Sequence, residues 1–373
     1  KLNYIIIFHF FGLLLLFNGG FMLLSSLVSL IYKDGVTLEI FLSGIVTLIV
    51  GAFLMVLTRN HSKEMNKREG YIVVTFGWIV MALSGTLPYI FTESIPQFTN
   101  AFFETMSGFT TTGASILNDI ESVPKGVLFW RSLTHWIGGM GIIVLAIAIL
   151  PLLGIGGMQL FAAEAPGPNA DKLHPRITDT AKRLWLIYVG YTAAETILLK
   201  VAGMSFFDAI NHALCTLSTG GFSTKNASIA HWNDQPIIQY IIIVFMFLAG
   251  INFSLHFLAW NNKSFIDYIK DSEFKTYVMV LVGSSVIVII ALTLNAEYGS
   301  SIETIRYSLF QTISIATTTG FTSQNYSSWP AAIPFFLIMM SFIGACVGST
   351  GGGIKVIRIL VMFRLGMKEI HKF

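Results

Sequence analysis

The sequence predicts an all-α integral membrane protein assembled from a repeated unit of helix, short helix, turn and second helix. Three observations predict it. A chain of 373 residues that is 54% hydrophobic and 12% charged, with 31 Phe, lacks the polar residues needed to cover a water-soluble globule of its size. Apolar stretches of about 20 residues, the length of helix that crosses a bilayer, recur along it. Three further segments share one residue pattern at a period of roughly one hundred residues.

The apolar stretches run near 5–31, 38–58, 71–92, 126–150, 184–202, 236–258, 276–294 and 331–361, which makes eight candidate spans. The first is read as a retained helix, because it is too long for a signal peptide and no small-residue cleavage site follows it. Basic residues set the orientation. Arg59, Lys63, Lys67 and Arg68 lie between spans two and three, Lys172, Arg176, Lys182 and Arg183 between four and five, and Lys263, Lys270 and Lys275 between six and seven. Those loops read as cytoplasmic, so the alternate loops face outward. The net charge of +3 then reflects membrane orientation, and with no folded basic domain to carry it, it gives no support to nucleic-acid binding. Cys215 and Cys346 sit inside apolar stretches and make no metal spacing, so they read as small buried residues.

The shared pattern is Thr110-Thr111-Thr112-Gly113-Ala114-Ser115, Ser218-Thr219-Gly220-Gly221-Phe222-Ser223 and Thr317-Thr318-Thr319-Gly320-Phe321-Thr322. Aligned on Gly113, Gly221 and Gly320, each copy has hydroxyl residues two and three positions before the glycine and another two after it. The ninth position before is polar (Glu104, His212, Gln311) and the sixth is small (Ser107, Cys215, Ser314). A short amphipathic segment precedes each copy, near 99–109, 206–217 and 303–316, too short to cross a bilayer and suited to a re-entrant helix. Asp208 and Ser301 are the expected caps of two of them, and Pro124, Pro236 and Pro330 stand near the start of the spans that follow.

Non-helical backbone at membrane depth is viable only where protein buries it or where it lines a watery cavity. Carbonyl oxygens and hydroxyls there replace the water shell of a monovalent cation, and glycine opens the backbone geometry that turns carbonyls inward. The C-termini of the short helices aim partial negative charge at the same place. Thr110, Thr111, Thr112, Gly113, Ser218, Thr219, Gly220, Gly221, Thr317, Thr318, Thr319 and Gly320 are therefore the candidate ion-binding filter. None of the motifs contains Asp or Glu, which argues against a calcium site built on carboxylates. Small residues also pack membrane helices, but that reading fits one copy and leaves three in one topological place unexplained. A single glycine per copy predicts modest discrimination among potassium, rubidium and sodium.

The last span holds a second glycine cluster, from Gly344 through Gly348-Ser349-Thr350-Gly351-Gly352-Gly353-Ile354-Lys355. Three consecutive glycines cost about 1 kcal/mol each against alanine in a helix, so this span is expected to break around an intramembrane loop, as ion-pathway helices do. A phosphate-binding loop is the rival, but Ile354 separates Gly353 from Lys355 and no hydroxyl residue follows the lysine. Gly344, Gly348, Ser349, Thr350, Gly351, Gly352, Gly353 and Lys355 are the candidate gate loop below the filter, with Lys355 and Arg358 at the cytoplasmic edge.

On these residues the chain resembles the membrane subunit of the bacterial Trk potassium uptake system, within the Trk/Ktr/HKT superfamily. The resemblance takes in 110–115, Gly-Gly-Met-Gly-Ile-Ile-Val-Leu-Ala at 138–146, Gly-Ile-Gly-Gly-Met-Gln-Leu at 154–160, 220–224 and 348–355, and extends over essentially the whole chain. Two extra N-terminal spans favour the Trk branch over the sodium-linked Ktr branch. What the resemblance implies is a bacterial cytoplasmic (inner) membrane protein, filters facing outward, that carries potassium, with rubidium or sodium as weaker competitors. It implies four repeats around a pseudo-fourfold pore in each subunit of a homodimer, and a cytoplasmic nucleotide-binding regulatory ring of the NAD/ATP type that controls the gate.

Against that pattern the chain shows three repeats, with the fourth missing. The expected organisation is two extra N-terminal helices over 1–69, a first pore repeat over 70–181, a second over 182–274, a third with a broken second helix over 275–361, and at 362–373 the start of a link to the absent repeat. The family continues there into a further filter segment and an arginine that faces the gate loop. An incomplete fragment is the expectation, and a three-repeat protein that is inactive or completed by a partner is the alternative.

Among the other polar residues, Glu195 lies near the middle of span five, where a charge is a functional candidate, with pairing to a neighbouring helix or to the end of a short helix as the competing reading. Arg131, His135, Trp136, Asn252 and His256 read as interface anchors or interhelical hydrogen bonds. Glu104 and Gln311 are expected to fix the short helices, and Asp119 and Glu121 to concentrate cations at the mouth. Partner contacts are expected on 161–183, 260–275 and 364–373. An alternating-access symporter coupled to protons or sodium is the alternative transporter, although its inverted repeats are not seen. An intramembrane enzyme lacks its motifs: there is no His-Glu-x-x-His, no Gly-x-Ser-x-Gly and no paired intramembrane acids.

Overall fold

The computed structural model describes residues 2–59, 66–139, 141, 177–295, 298–330 and 332–371, and among these every regular element is a helix. Lys63, Lys172, Arg176, the inner part of span four and the 154–160 stretch lie outside the described residues. Among the described residues, five helices are long and apolar enough to cross a membrane, and a sixth if one bent pair forms a single span. The chain divides into two compact units, Lys1–Leu186 and Ile187–Phe373.

The first unit opens with α1 (Tyr4–Tyr32) and α2 (Thr37–Leu57). They approach through glycines. A Cβ at Gly12 would lie 2.9 Å from the Gly51 carbonyl oxygen, and one at Gly19 would lie 2.9 Å from that of Gly44, the small-residue contact that lets membrane helices touch backbone to backbone. Asn18, buried on α1, donates to the Met81 carbonyl and the Ser84 hydroxyl of α3 (Lys67–Gly85), which continues as α4 (Leu87–Phe91). The short helix α5 (Phe98–Phe109) is nested between α3 and α6 (Lys125–Gly139). A side chain at Gly108 would strike Thr134, and one at Gly138 would strike the Phe109 carbonyl. Trp130 of α6 donates to the Gly85 carbonyl at 3.1 Å.

Helix α7 (Ile177–Val201) is divided between the units. The second unit then contains two successive copies of one arrangement. In the first, α8 (Phe206–Leu217) precedes α9 (Pro236–Ala249) and α10 (Phe253–Asn262). The short α11 (Ile266–Lys270) leads to the second, in which α12 (Ser272–Leu294) and α13 (Ser301–Ala316) precede α14 (Ala332–Ile343) and α15 (Val356–Ile370). Buried Phe222, Ile242, Met246, Tyr277, Phe310, Phe321 and Cys346 share one apolar core.

Three sequence expectations need correction. Span six is not straight: α9 and α10 meet at 93°. No proline causes it. The Gly250 carbonyl accepts from Cys346 N–H at 3.0 Å, Phe253 N–H donates to the Gly348 carbonyl at 2.9 Å, and Asn252 restarts the helix by capping Ser254 N–H at 2.8 Å, so an inserted loop replaces the helical ladder. Neither expected cap holds. Ser205, not Asp208, takes the N-cap position of α8, accepting from Asp208 N–H at 3.0 Å. Ser301 is the first residue of α13 and follows the N-cap Ser300, whose side chain makes no capping bond. By contrast the last span breaks where the glycines require: helix to Ile343, a loop over 344–355, and helix again from Val356.

Candidate functional site

Each short helix ends in the same turn. The C-cap residues Thr110, Ser218 and Thr317 have ordinary right-handed or bridging dihedrals, and their hydroxyls fold back on the carbonyls four residues earlier, Met106, Leu214 and Ile313, at 2.7–2.8 Å. The next residue, Thr111, Thr219 or Thr318, is left-handed at φ 52°, 52° and 62°. For a β-branched residue that conformation is a true outlier, costing about 1–3 kcal/mol, and such strain concentrates at functional sites. Gly113, Gly221 and Gly320 follow at φ 76°, 80° and 85°.

The reason for this backbone is visible in its hydrogen bonds. In the third copy, Thr317 N–H donates to Ile313, Thr318 N–H to Ile315, and both Thr319 and Gly320 N–H to Ser314, at 2.8–3.2 Å. The second copy sends Thr219 N–H to Thr216 and the Gly220 and Gly221 N–H groups to Cys215, and the first sends Thr111 N–H to Gly108 and Thr112 N–H to Ser107. Four consecutive turn amides thus close the C-terminal end of α13. In a planar trans peptide the carbonyl points opposite to the amide it shares a bond with. The carbonyls of Thr317, Thr318 and Thr319 therefore face away from the helix, and by the same argument so do those of Ser218, Thr219 and Gly220, and of Thr110 and Thr111.

The polar residue nine before each glycine secures the outgoing strand. The Glu104 carboxylate accepts from the Ser115 hydroxyl and from Ile116 N–H, both at 2.9 Å, and is paired to Arg131 Nε at 2.7 Å with both side chains buried. His212 Nδ1 lies 2.7 Å from the Asp208 carbonyl, which makes it the protonated nitrogen and leaves Nε2 to accept from the Ser223 hydroxyl at 2.8 Å. Gln311 Oε1 accepts from Ser323 N–H at 3.5 Å, at the edge of hydrogen-bonding distance. The two turns of the second unit are also stitched together beyond the glycines. Ala230 N–H reaches the Thr322 carbonyl at 3.1 Å, and Asn233 reaches that of Ser323 at 3.2 Å.

The 344–355 loop seats directly against these turns. Thr350 donates its hydroxyl to the Leu217 carbonyl at 2.9 Å, one residue before Ser218, and Gly352 N–H donates to the Thr318 hydroxyl at 2.7 Å. A Cβ on Gly351 would lie 2.9 Å from the Thr317 carbonyl oxygen, and one on Gly348 would lie 2.8 Å from Asn252 Oδ1. Gly344 and Gly353 face each other so closely that a side chain on either would strike the other's backbone. The Lys355 ammonium bonds the Gly351 carbonyl, and Ser349 bonds that of Cys346. Closeness on both sides, more than positive φ, is what demands glycine here.

The structure thus brings together, within the second unit, Ser218, Thr219, Gly220, Gly221, Thr317, Thr318, Thr319, Gly320 and the whole glycine loop. Thr110, Thr111, Thr112 and Gly113 form the same turn within the first unit. Glu195 is fully buried, with Thr216 of α8 beside it. His256 bonds the Tyr268 hydroxyl at 2.8 Å and the Leu248 carbonyl at 3.0 Å, an interhelical role as expected. Two residues were missed or undervalued. Asn252 caps α10 against the loop, a role signalled by its place two residues after Gly250. Glu273 accepts from Val347 N–H at 2.8 Å and from Ile357 N–H at 3.2 Å, with no sequence signal beyond being an acid in a first helical turn.

A profile of the TrkH family, described as cation transport protein, matches residues 37–373. The Trk system potassium uptake protein TrkH of Escherichia coli K12 is 46% identical over 364 residues, which is 97% of this chain and 75% of that protein. The protein of the same name from Halomonas elongata is 40% identical over 368 residues, covering 98% and 76%. The crystal structure of the potassium transporter TrkH from Vibrio parahaemolyticus superposes with a TM-score of 0.88 at 39% identity, over 100% of this chain and 76% of that one.

Proposed function

The chain belongs to the TrkH family of cation transport proteins, and from that premise we propose that it carries potassium into the cell across the bacterial cytoplasmic membrane through a gated, channel-like path. The observation that carries the reading is the repeated turn, whose successive amides bond back to the end of the preceding helix and whose carbonyls on those peptides consequently face the other way. Such carbonyls, with the C-terminal helix dipole behind them, substitute for the water around a monovalent cation. Thr110 to Gly113, Ser218 to Gly221 and Thr317 to Gly320 are the proposed filter segments.

The glycine loop is the proposed gate. It is irregular backbone tied by Thr350 and Gly352 to two of the proposed filter turns, so moving it must break bonds made to those turns. A homodimer, a fourth repeat completing a pseudo-fourfold pore and a nucleotide-binding regulatory ring acting on the loop complete the proposal, on the strength of the family membership. Flux and nucleotide response unchanged by removal of that ring would count against the last part.

Rubidium uptake into proteoliposomes tests the function. The 373-residue chain is compared with a version extended through a complete fourth repeat, and Gly320→Ser is introduced into whichever conducts. The reading expects uptake that Gly320→Ser reduces or makes less selective over sodium. Absence of uptake in both, or uptake indifferent to Gly320→Ser, overturns it. A strict need for an imposed proton or sodium gradient would move the reading to a coupled symporter.

A further inference from the structure

Building on the proposed gate, we infer that Glu273 is a positioning residue that holds the loop shut. A single carboxylate oxygen, Oε1, accepts from Val347 N–H at 2.8 Å and from Ile357 N–H at 3.2 Å. The first amide lies inside the loop, and the second lies in the opening turn of α15, beyond its far end. One side chain from α12 therefore fastens both ends of the irregular segment.

Its position frees it for the task. An acid in a first helical turn ordinarily serves its own helix terminus, but Asp271 already caps α12, accepting from Phe274 N–H at 2.7 Å. Glu273 is 8% exposed and turned onto the loop. Asp271 and Lys355 are the charged groups near it, and Lys355 is itself bonded to the Gly351 carbonyl. Amides of irregular backbone need partners when buried, and a carboxylate binds them about twice as strongly as a neutral acceptor does. The loop's other bonds either join its own two ends, from Ile354, Lys355 and Val356 N–H to the Phe342, Ile343 and Ala345 carbonyls, or link Thr350, Gly352, Cys346 and Gly348 to the filter turns and to the bend at Gly250. Glu273 holds the loop from the remaining side.

The two cysteines provide the test. Cys346 is in the loop and 1% exposed, whereas Cys215 lies on α8 behind the second filter turn and is 0% exposed. In protein reconstituted in lipid, the rate at which a small thiol reagent modifies Cys346 is measured in a Cys215→Ser background, and that of Cys215 in a Cys346→Ser background. Glu273→Ala is expected to accelerate Cys346 modification by about ten-fold or more, the equivalent of one hydrogen bond to a charged group. Glu273→Gln, which keeps a neutral acceptor and guards against a variant that fails to fold, is expected to fall between. Cys215 is expected to stay unmodified in every variant. An unchanged Cys346 rate, or Cys215 rising alongside it as in general loosening, overturns the inference. Rubidium flux recorded in parallel on the 373-residue chain and its extended version keeps the two readings apart: altered labelling with no flux from either refutes the transport proposal and leaves the Glu273 assignment standing.

Discussion

Gly352 donates its backbone N–H to the hydroxyl of Thr318 at 2.7 Å, and Thr318 is the left-handed residue of the third filter turn. The strained position of the proposed filter and the proposed gate therefore share one hydrogen bond. If these assignments hold, a change in the proposed gate reaches the proposed filter without an intervening element.

Removing either hydroxyl that ties the loop to the turns should favour the open loop. Thr350→Val keeps the side-chain shape and deletes the bond to the Leu217 carbonyl, and Thr318→Val deletes the acceptor for Gly352. A neutral hydrogen bond is worth about 0.5–1.5 kcal/mol, so resting rubidium leak should rise roughly two- to ten-fold in each. For Thr350→Val the potassium over sodium ratio should not move, because that residue lies outside the filter. A leak equal to that of the unsubstituted protein would remove the loop's seat from the account.

The two filter glycines of the second unit should respond unequally to alanine. A Cβ at Gly221 would run into the Thr319 carbonyl of the neighbouring turn, whereas one at Gly320 meets nothing within 4 Å. Gly320→Ala bears only the left-handed strain of φ 85°, about 1–2 kcal/mol, and should fold normally with impaired selectivity. Gly221→Ala must also push the two turns apart, and should lose uptake altogether. Equal yield and equal flux in both would show that the turns are not packed as described.

Breaking the Arg131–Glu104 pair should be costly. Its partners are 2% and 0% exposed, and truncating one member of such a pair strands the other charge at a cost of about 3–5 kcal/mol. Glu104→Ala also frees Ser115 and Ile116, so it should lower thermal stability in detergent sharply and disable uptake. The double variant Glu104→Gln, Arg131→Met should recover much of the stability. Thermal unfolding followed by intrinsic fluorescence checks the order.

Acid should loosen the start of α8 through Asp208. Burial raises the proton affinity of its carboxyl, but the Ser205 and Thr224 hydroxyls, each bonded to it at 2.6 Å, outweigh that and hold it below its ordinary value of 3.8, with His212 and Lys225 adding to the lowering. A folded value below the unfolded one means stability that is fully present above the ordinary value and is lost as the pH falls through the lowered value. Asp208→Asn, which cannot ionise, should flatten that acid limb of the thermal-stability profile and lower the neutral plateau toward the acid value. An acid limb identical in both proteins would contradict the assignment.

Repetition made the three Thr-Gly turns legible in the sequence. One Thr-Gly turn is ambiguous, but three copies with a polar residue nine positions before each glycine exposed the positions at Glu104, His212 and Gln311 before their bonds to the outgoing strand were seen. The loop was legible because Gly351-Gly352-Gly353 cannot continue a membrane helix. The bend of span six was not, because its cause is remote: the bonds that replace the helical ladder at Gly250 and Phe253 come from Cys346 and Gly348, about one hundred residues later in sequence, where no helical or strand period can point. Glu273 was hidden for the same reason. It looks like an ordinary acid in a first helical turn, and only the folded chain shows that Asp271 has taken the capping role and left Glu273 to the loop.

The outward-turned carbonyls of the repeated Thr-Gly turns are the proposed binding sites of the transported cation. Diffraction from crystals of the protein soaked in rubidium, recorded at the rubidium absorption edge, tests that assignment most directly. Anomalous peaks are expected among the carbonyl oxygens of Ser218, Thr219, Gly220, Thr317, Thr318 and Thr319, weakened when potassium is added in excess. Rubidium peaks confined to other parts of the molecule, with these carbonyls free of any, would contradict it.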